Sequence, residues 1–159
     1  MNEKERKLGE QYWEAIEPIW DAISIYDEPE VFLEQFRSVS RARGHLFATH
    51  WCQSEVRNGG FHQFFWNSTG VLAPEAVAGF LAIGLPDCAA IVRDAMAFFG
   101  SHYRRERSQR IEVLEQLVQG GVTEEELFEE LDDKFFAAIG DSSERFDRAA
   151  DAYTQKIPS

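Results

Sequence analysis

The stretch EVRNGGFHQFFWNSTG, residues 55–70, decides how this chain folds. Four aromatics, Phe61, Phe64, Phe65 and Trp66, stand among Asn58, His62, Gln63, Asn67 and three glycines, with charge only at Glu55 and Arg57. Before it, Leu46, Phe47, Cys52 and Val56 form an apolar stripe with His50 and Trp51 alongside, which predicts a helix over about 40–57. Asn58 and Gly59 both tolerate the left-handed backbone that ends helices, so the helix is expected to stop there. Gly60 lets a second helix begin within a few residues and permits close backbone approach. The new helix starts with free amide N–H groups. Glu55, one turn back, is placed to accept from them, and its charge suits the helix dipole. Gln63 and Asn67, four residues apart, share one helical face. Amides in so aromatic a setting are expected to be buried, and each one left unbonded costs about 1–3 kcal/mol. These residues predict a polar clasp that locks the joint between helices. The competing reading is a small-molecule pocket walled by Phe61, Phe64 and Trp66, with Gln63 and Asn67 converging on a ligand.

The same periodicity continues on both sides of the joint. Leu8, Tyr12, Ile16, Ile19, Ile23 and Tyr26 recur at three- and four-residue steps, one stripe that Pro18 must kink or divide. Pro29 suits the first turn of a short helix carrying Phe32, Leu33 and Phe36 inward. Pro74 and Pro86 open two apolar helices that each end in glycine, and the basic run HYRRERSQR leads into a helix with Ile111, Leu114, Leu117 and Val118. Thr123 with Glu126 matches a capping box, and Asp141 with Glu144 matches a second. Between them, Leu127, Phe128, Leu131, Phe135 and Ile139 share one face, and a last helix bears Phe146, Ala149, Ala150 and Tyr153. No segment alternates with period two between hairpin turns. The expected fold is all-α, about eight helices in one compact array, with residues 1–159 as a single domain.

Composition limits what the array can do. The chain is 44% hydrophobic and carries a net charge of −12. That charge is divided unevenly. Residues 1–36 hold 10 acidic and 3 basic side chains, residues 37–121 hold 7 and 9, and residues 122–159 hold 11 and 4. Acid belongs to the two ends, and such a field repels nucleic acid while attracting basic partners. No apolar run approaches the roughly 18 residues of a membrane span, and the charged start MNEKERKLGEQYWE does not resemble a signal peptide. Cys52 and Cys88 are expected to be reduced thiols in a cytoplasm. His45, His50, His62 and His102 lack zinc-site spacing, there is no phosphate loop, and no metal or cofactor is expected. His62, beside Gln63, is the histidine to test for general-base work, although no nucleophile pairs with it in sequence.

Glu55, Asn58, Gly59, Gly60, Phe61, Gln63, Phe64, Asn67, Ser68 and Gly70, with the later LDDKFF, resemble the signature of a bacterial family filed as a domain of unknown function and named for DNA mimicry. Arg57 departs from it, standing where the first asparagine of a pair is expected. The resemblance covers about residues 40–155, leaving the acidic N-terminal helices of 1–36 outside. It implies an interaction protein whose carboxylates stand in for DNA phosphates and whose partner is a basic protein, such as a DNA-binding protein or transcription factor. Carboxylates three or four apart on a helix lie about 5–6 Å apart at Cβ, close enough to form a track. One candidate patch is Glu124, Glu125, Glu129, Asp132 and Asp133, and the other is Glu14, Glu17, Asp21, Asp27, Glu28 and Glu30. Two alternatives stand beside this reading. One is a ligand-binding or enzymatic domain centred on the aromatic stretch, and the other is an inhibitor or immunity protein for a basic toxin.

Overall fold

Helix α1, Glu10–Ile16, ends where Pro18 falls in the second position of a 3-10 turn, Glu17–Ala22. The computed structural model describes residues 6–158. Eight further helices follow: α2 Pro29–Ser38, α3 Arg41–Trp66, α4 Ala73–Ala82, α5 Pro86–Met96, α6 Arg107–Gln119, α7 Glu124–Leu127, α8 Glu129–Ile139 and α9 Glu144–Tyr153. Among the described residues there are nine α-helices and no strand, so the fold is all-α. The extra helix relative to the sequence reading is α7, a single turn that Phe128 separates from α8. No helix among the described residues is long and apolar enough to cross a membrane.

Helix α3 is the axis of the array, packing against α1, α4, α6 and α8. Ser40 caps its start by accepting from the Arg43 amide at 3.3 Å. Its inward face buries Leu46, Phe47, Cys52 and Val56, and beyond the joint Phe61, Phe64 and Phe65. Phe61 and Phe65 meet Phe128, Phe61 also meets Phe135, and Phe80 and Phe146 extend the aromatic cluster. Each such ring stabilises the fold by roughly 1.5–3 kcal/mol through removal from water. Cys52 and Cys88 are buried thiols, and burial pushes Cys88 up to about 12.

The first stripe is only partly inward. Tyr12, Ile16, Ile19 and Ile23 are buried, whereas Leu8 is 46% and Tyr26 80% exposed. The helix stops at residue 16, so the 3.6-residue period does not carry through to Tyr26. Instead of side chains from its own turn, α1 is capped from far away: Gly9 N–H and Tyr12 N–H donate to Asp151 at 2.7 and 3.0 Å. The box at Thr123 and Glu126 forms in both directions. The one expected at Asp141 does not, because residues 141–143 make a 3-10 turn in which Ser142 and Ser143 take positive φ. No side chain caps α9.

Candidate interaction site: an acidic groove beside the glycine joint

The joint inside α3 is made by Gly59 and Gly60, the two non-helical residues of an otherwise helical run. Gly60 has φ +74°, a conformation costly for any residue with a Cβ. A Cβ there would also lie 2.5 Å from the Asp132 carboxylate. Asp132 accepts from the Phe61 amide at 2.8 Å. The carboxylate that satisfies the restarted helix therefore comes from α8, 71 residues away in sequence, and not from Glu55 as its position suggested. Burial raises Asp132 to about 6, although the Phe61 N–H pulls it down and the neighbouring Asp133 adds a smaller upward push.

Glu55 serves the side-chain amides instead. Its Oε2 accepts from Gln63 Nε2 at 2.7 Å and from Asn67 Nδ2 at 3.1 Å. Gln63 Oε1 in turn accepts from Asn58 Nδ2 at 3.2 Å, while a Cβ on Gly59 would collide with that same Oε1. Gln63 and Asn67 are half-buried, less enclosed than the aromatic setting suggested, because they lie at the edge of the joint. Phe61 and Phe64 are wholly buried. Trp66 does line a recess of about 210 Å³, together with His62, which stacks on it at 5.5 Å between ring centres.

The far end of α3 is held by arginines that the sequence reading treated only as a basic cluster. Arg110 is completely buried. Its guanidinium donates to the carbonyls of Phe65 and Asn67 at 2.9 Å each, and to those of Arg104 and Arg105. A cation suits the carbonyl end of a helix, where the last oxygens lack partners and the dipole is negative. Arg107 donates to the Trp66 carbonyl at 2.8 Å, and Arg105 makes a two-pronged pair with Glu75 at 2.6 and 2.9 Å. Gly70 belongs to this clamp, since a Cβ there would stand 2.6 Å from Arg110 Nε. Ser68 starts the 3-10 turn, Ser68–Leu72, that carries Gly70 into place. The available signal was Arg110 four residues before buried Leu114, a cation on the apolar face of α6.

None of those cations lines the next concavity, where carboxylates dominate. An open groove of about 750 Å³ is lined by Thr123, Glu124, Glu125, Glu126, Glu129, Asp132, Asp133 and Phe136. All five acids of the expected C-terminal patch line it, and Glu126 is added. None of its lining residues is basic; Lys134 lies on the same helix and pairs with Glu130 at 3.1 Å. All six acids except Asp132 are exposed, so Asp132 is the inner wall and not a free surface charge.

The N-terminal set is also exposed but not gathered into one groove. Glu14 pairs with Arg6 at 3.3 Å, and Asp27 accepts from Gln35 Nε2 at 3.0 Å. Asp27 and Glu28 line a recess shared with Arg105 and Arg107, while Asp21 lines another beside Trp20. Glu17 and Glu30 are exposed as well.

A protein-family model described as DMP19-like protein matches residues 37–156, and the chain belongs to that family. Neither the curated proteins nor the solved structures contain a match. Glu14, Glu17, Asp21, Asp27, Glu28 and Glu30 fall outside the matched span, whereas the groove and the glycine joint fall inside it.

Proposed function

We propose that this protein is an acidic interaction module that offers its α7–α8 groove to the basic surface of a DNA-binding protein, in the place DNA would occupy. The observation that carries this reading is the groove itself, six carboxylates around one concavity with no lining cation. A solvated helix face needs no concavity. Duplex DNA holds one charge per roughly 1.7 Å of axis, so a competitor must fix its acids densely. Here the capping box fixes Glu126 and the Phe61 amide fixes Asp132, which hold the two edges of the patch in register. Membership of a family known for DNA mimicry supports the same reading. The partner is a basic protein, no nucleic acid is bound directly, and no cofactor is required.

The test begins with capture of partners from host lysate at low salt and elution along a salt gradient. The recovered protein is then titrated with labelled duplex DNA in the presence and absence of this chain. Competition that weakens steeply with salt is expected. A complex indifferent to salt, or a partner that holds DNA and this chain together, would refute mimicry.

A further inference from the structure

A second concavity lies outside the acidic groove. It measures about 280 Å³, near the lower end of the roughly 300–1,000 Å³ typical of ligand sites, a size suited to one side chain. Its walls include Trp20, Ile23, Tyr26, Phe47 and Trp51, with Asp21 beside them. Trp20 and Trp51 are nearly parallel, 21° apart with ring centres at 5.2 Å, and Trp13 meets Trp20 at a tilt of 52°. The Trp51 indole N–H is buried and has no acceptor among the described residues. A buried donor without a partner is costly, so the Trp51 ring is held here by its packing and not by a hydrogen bond. Tyr26 and Trp13 are exposed, and aromatic residues in that state are enriched where proteins meet.

We infer that this pocket is the anchor point for an arginine side chain of the basic partner. The inference rests on the interaction reading above and adds where a specific contact is made. Charge complementarity selects the occupant: Asp21 lines the pocket and none of its lining residues is basic. Indole rings attract cations through their electron-rich faces. A guanidinium is planar, stacks on such rings and can bond a carboxylate at two points, whereas an ammonium is a compact, strongly hydrated charge. Trp20, Asp21 and Tyr26 precede the family-matched span and Phe47 and Trp51 lie within it, so the pocket joins this chain's N-terminal segment to the shared scaffold.

The experiment uses the full chain labelled with nitrogen-15. Its four indole N–H signals, from Trp13, Trp20, Trp51 and Trp66, are assigned by single substitutions to phenylalanine. The chain is titrated with acetyl-glycyl-arginyl-glycinamide, with the lysine peptide, and with the peptide carrying neutral citrulline. Saturable shifts of the Trp20 and Trp51 signals are expected with arginine, with the Trp66 signal unmoved, and at least about tenfold weaker binding of citrulline. The exposed change Asp21→Asn, which leaves the fold intact, weakens the arginine response several-fold. Citrulline as good as arginine, lysine as good as arginine, or diffuse shifts across all acidic segments would overturn the inference. The triple variant Glu124→Gln, Glu125→Gln, Glu129→Gln separates the two sites. It retains the peptide shifts if the pocket is an independent anchor, even where capture of a lysate partner is lost. Lost peptide response in the unaltered chain with intact salt-sensitive capture overturns the pocket and leaves the groove standing.

Discussion

Replacing Arg110 by methionine should cost this protein roughly 3–5 kcal/mol, because buried carbonyls left without a donor cost about 1–3 kcal/mol each. The structure indicates how that cost arises. Arg110 donates to four carbonyls, those of Phe65, Asn67, Arg104 and Arg105, and the Nε bond to Phe65 is buried. Each charge-assisted hydrogen bond is worth about 1.5–3 kcal/mol net, and four would give up to about 12 kcal/mol. Against that stands the desolvation of a buried cation, which methionine relieves, and some of the carbonyls can reach water. Burial already lowers the Arg110 pKa from its ordinary value, so the desolvation cost is real. Gly70 supplies an internal check. Gly70→Ala puts a methyl group 2.6 Å from Arg110 Nε and 2.9 Å from the Phe64 carbonyl oxygen, an overpacking that costs about 1–3 kcal/mol. Where Arg110 is already methionine, the first of those collisions is gone and only the backbone one remains. The double variant should therefore lose less stability than the two single variants added together, by about 1 kcal/mol. Urea unfolding followed by circular dichroism at 222 nm gives all four free energies. Strict additivity, or an Arg110→Met cost under about 1 kcal/mol, would show that the clamp is not holding the end of α3.

Gly60→Ala is expected to destabilise by about 2 kcal/mol, from the positive φ and the clash with Asp132 together, read as a lower urea midpoint with unchanged slope. Gln63→Ala, which removes the donor that Glu55 Oε2 accepts at 2.7 Å, should lower stability by about 1 kcal/mol; unchanged melting with altered ligand binding would point to the pocket reading instead. Asp132→Ala loses the cap on the Phe61 amide and should cost about 1 kcal/mol, whereas Asp132→Asn keeps an acceptor there; equal destabilisation by both would remove the cap from the account. The same pair reports on pH. A folded-state value near 6, above the ordinary 3.8, means that ionised Asp132 opposes folding, so the contribution is favourable at pH 4 and lost as pH rises through 6. The advantage of Asp132→Asn over the unaltered chain should therefore be largest above pH 7 and vanish near pH 4. That difference is the quantity to measure, because burial holds His50 down at about 4 and its contribution runs with the opposite sign.

Local signals were enough for most of the architecture. Pro29 and Pro86 start helices, Thr123 caps one, and the joint falls one residue beyond the expected Asn58–Gly59 stop, at Gly59 and Gly60, since each is a choice forced within one turn of chain. What failed depended on partners distant in sequence. Glu55 looked like the cap for the second half of α3 because it is near in sequence, yet Asp132 reaches Phe61 across the fold and leaves Glu55 to the amides. Nothing in a run such as LDDKFF separates the aspartate that turns inward from the one that faces water. Arg110 was hidden for a related reason, since a basic residue in a basic cluster reads as solvated unless the carbonyls it meets are known. Among the acidic candidates, the five on α7 and α8 line one groove, a concavity that helical spacing alone does not indicate. The N-terminal acids were dispersed because α1 ends at Ile16 and the chain turns twice before α2.

The surface charge of the molecule follows from where its arginines point as much as from how many acids it has. The middle of the chain is nearly neutral by count, but three of its nine cations are consumed on the carbonyl end of α3 and on Glu75. Arg110 is buried there, and Arg105 and Arg107 face the recess they share with Asp27 and Glu28, so none of the three lines the acidic groove. The same construction explains why the glycine joint and the acidic patch belong together. Gly60 must lack a side chain because Asp132 occupies that space, and Asp132 in turn fixes the start of α8, from which Glu129 and Asp133 project. A backbone feature that looks like plain scaffold thus sets the spacing of the charges a partner would meet. Substitutions at Glu124 or Glu125 should alter recognition alone, while those at Gly60 or Asp132 must alter stability and recognition together.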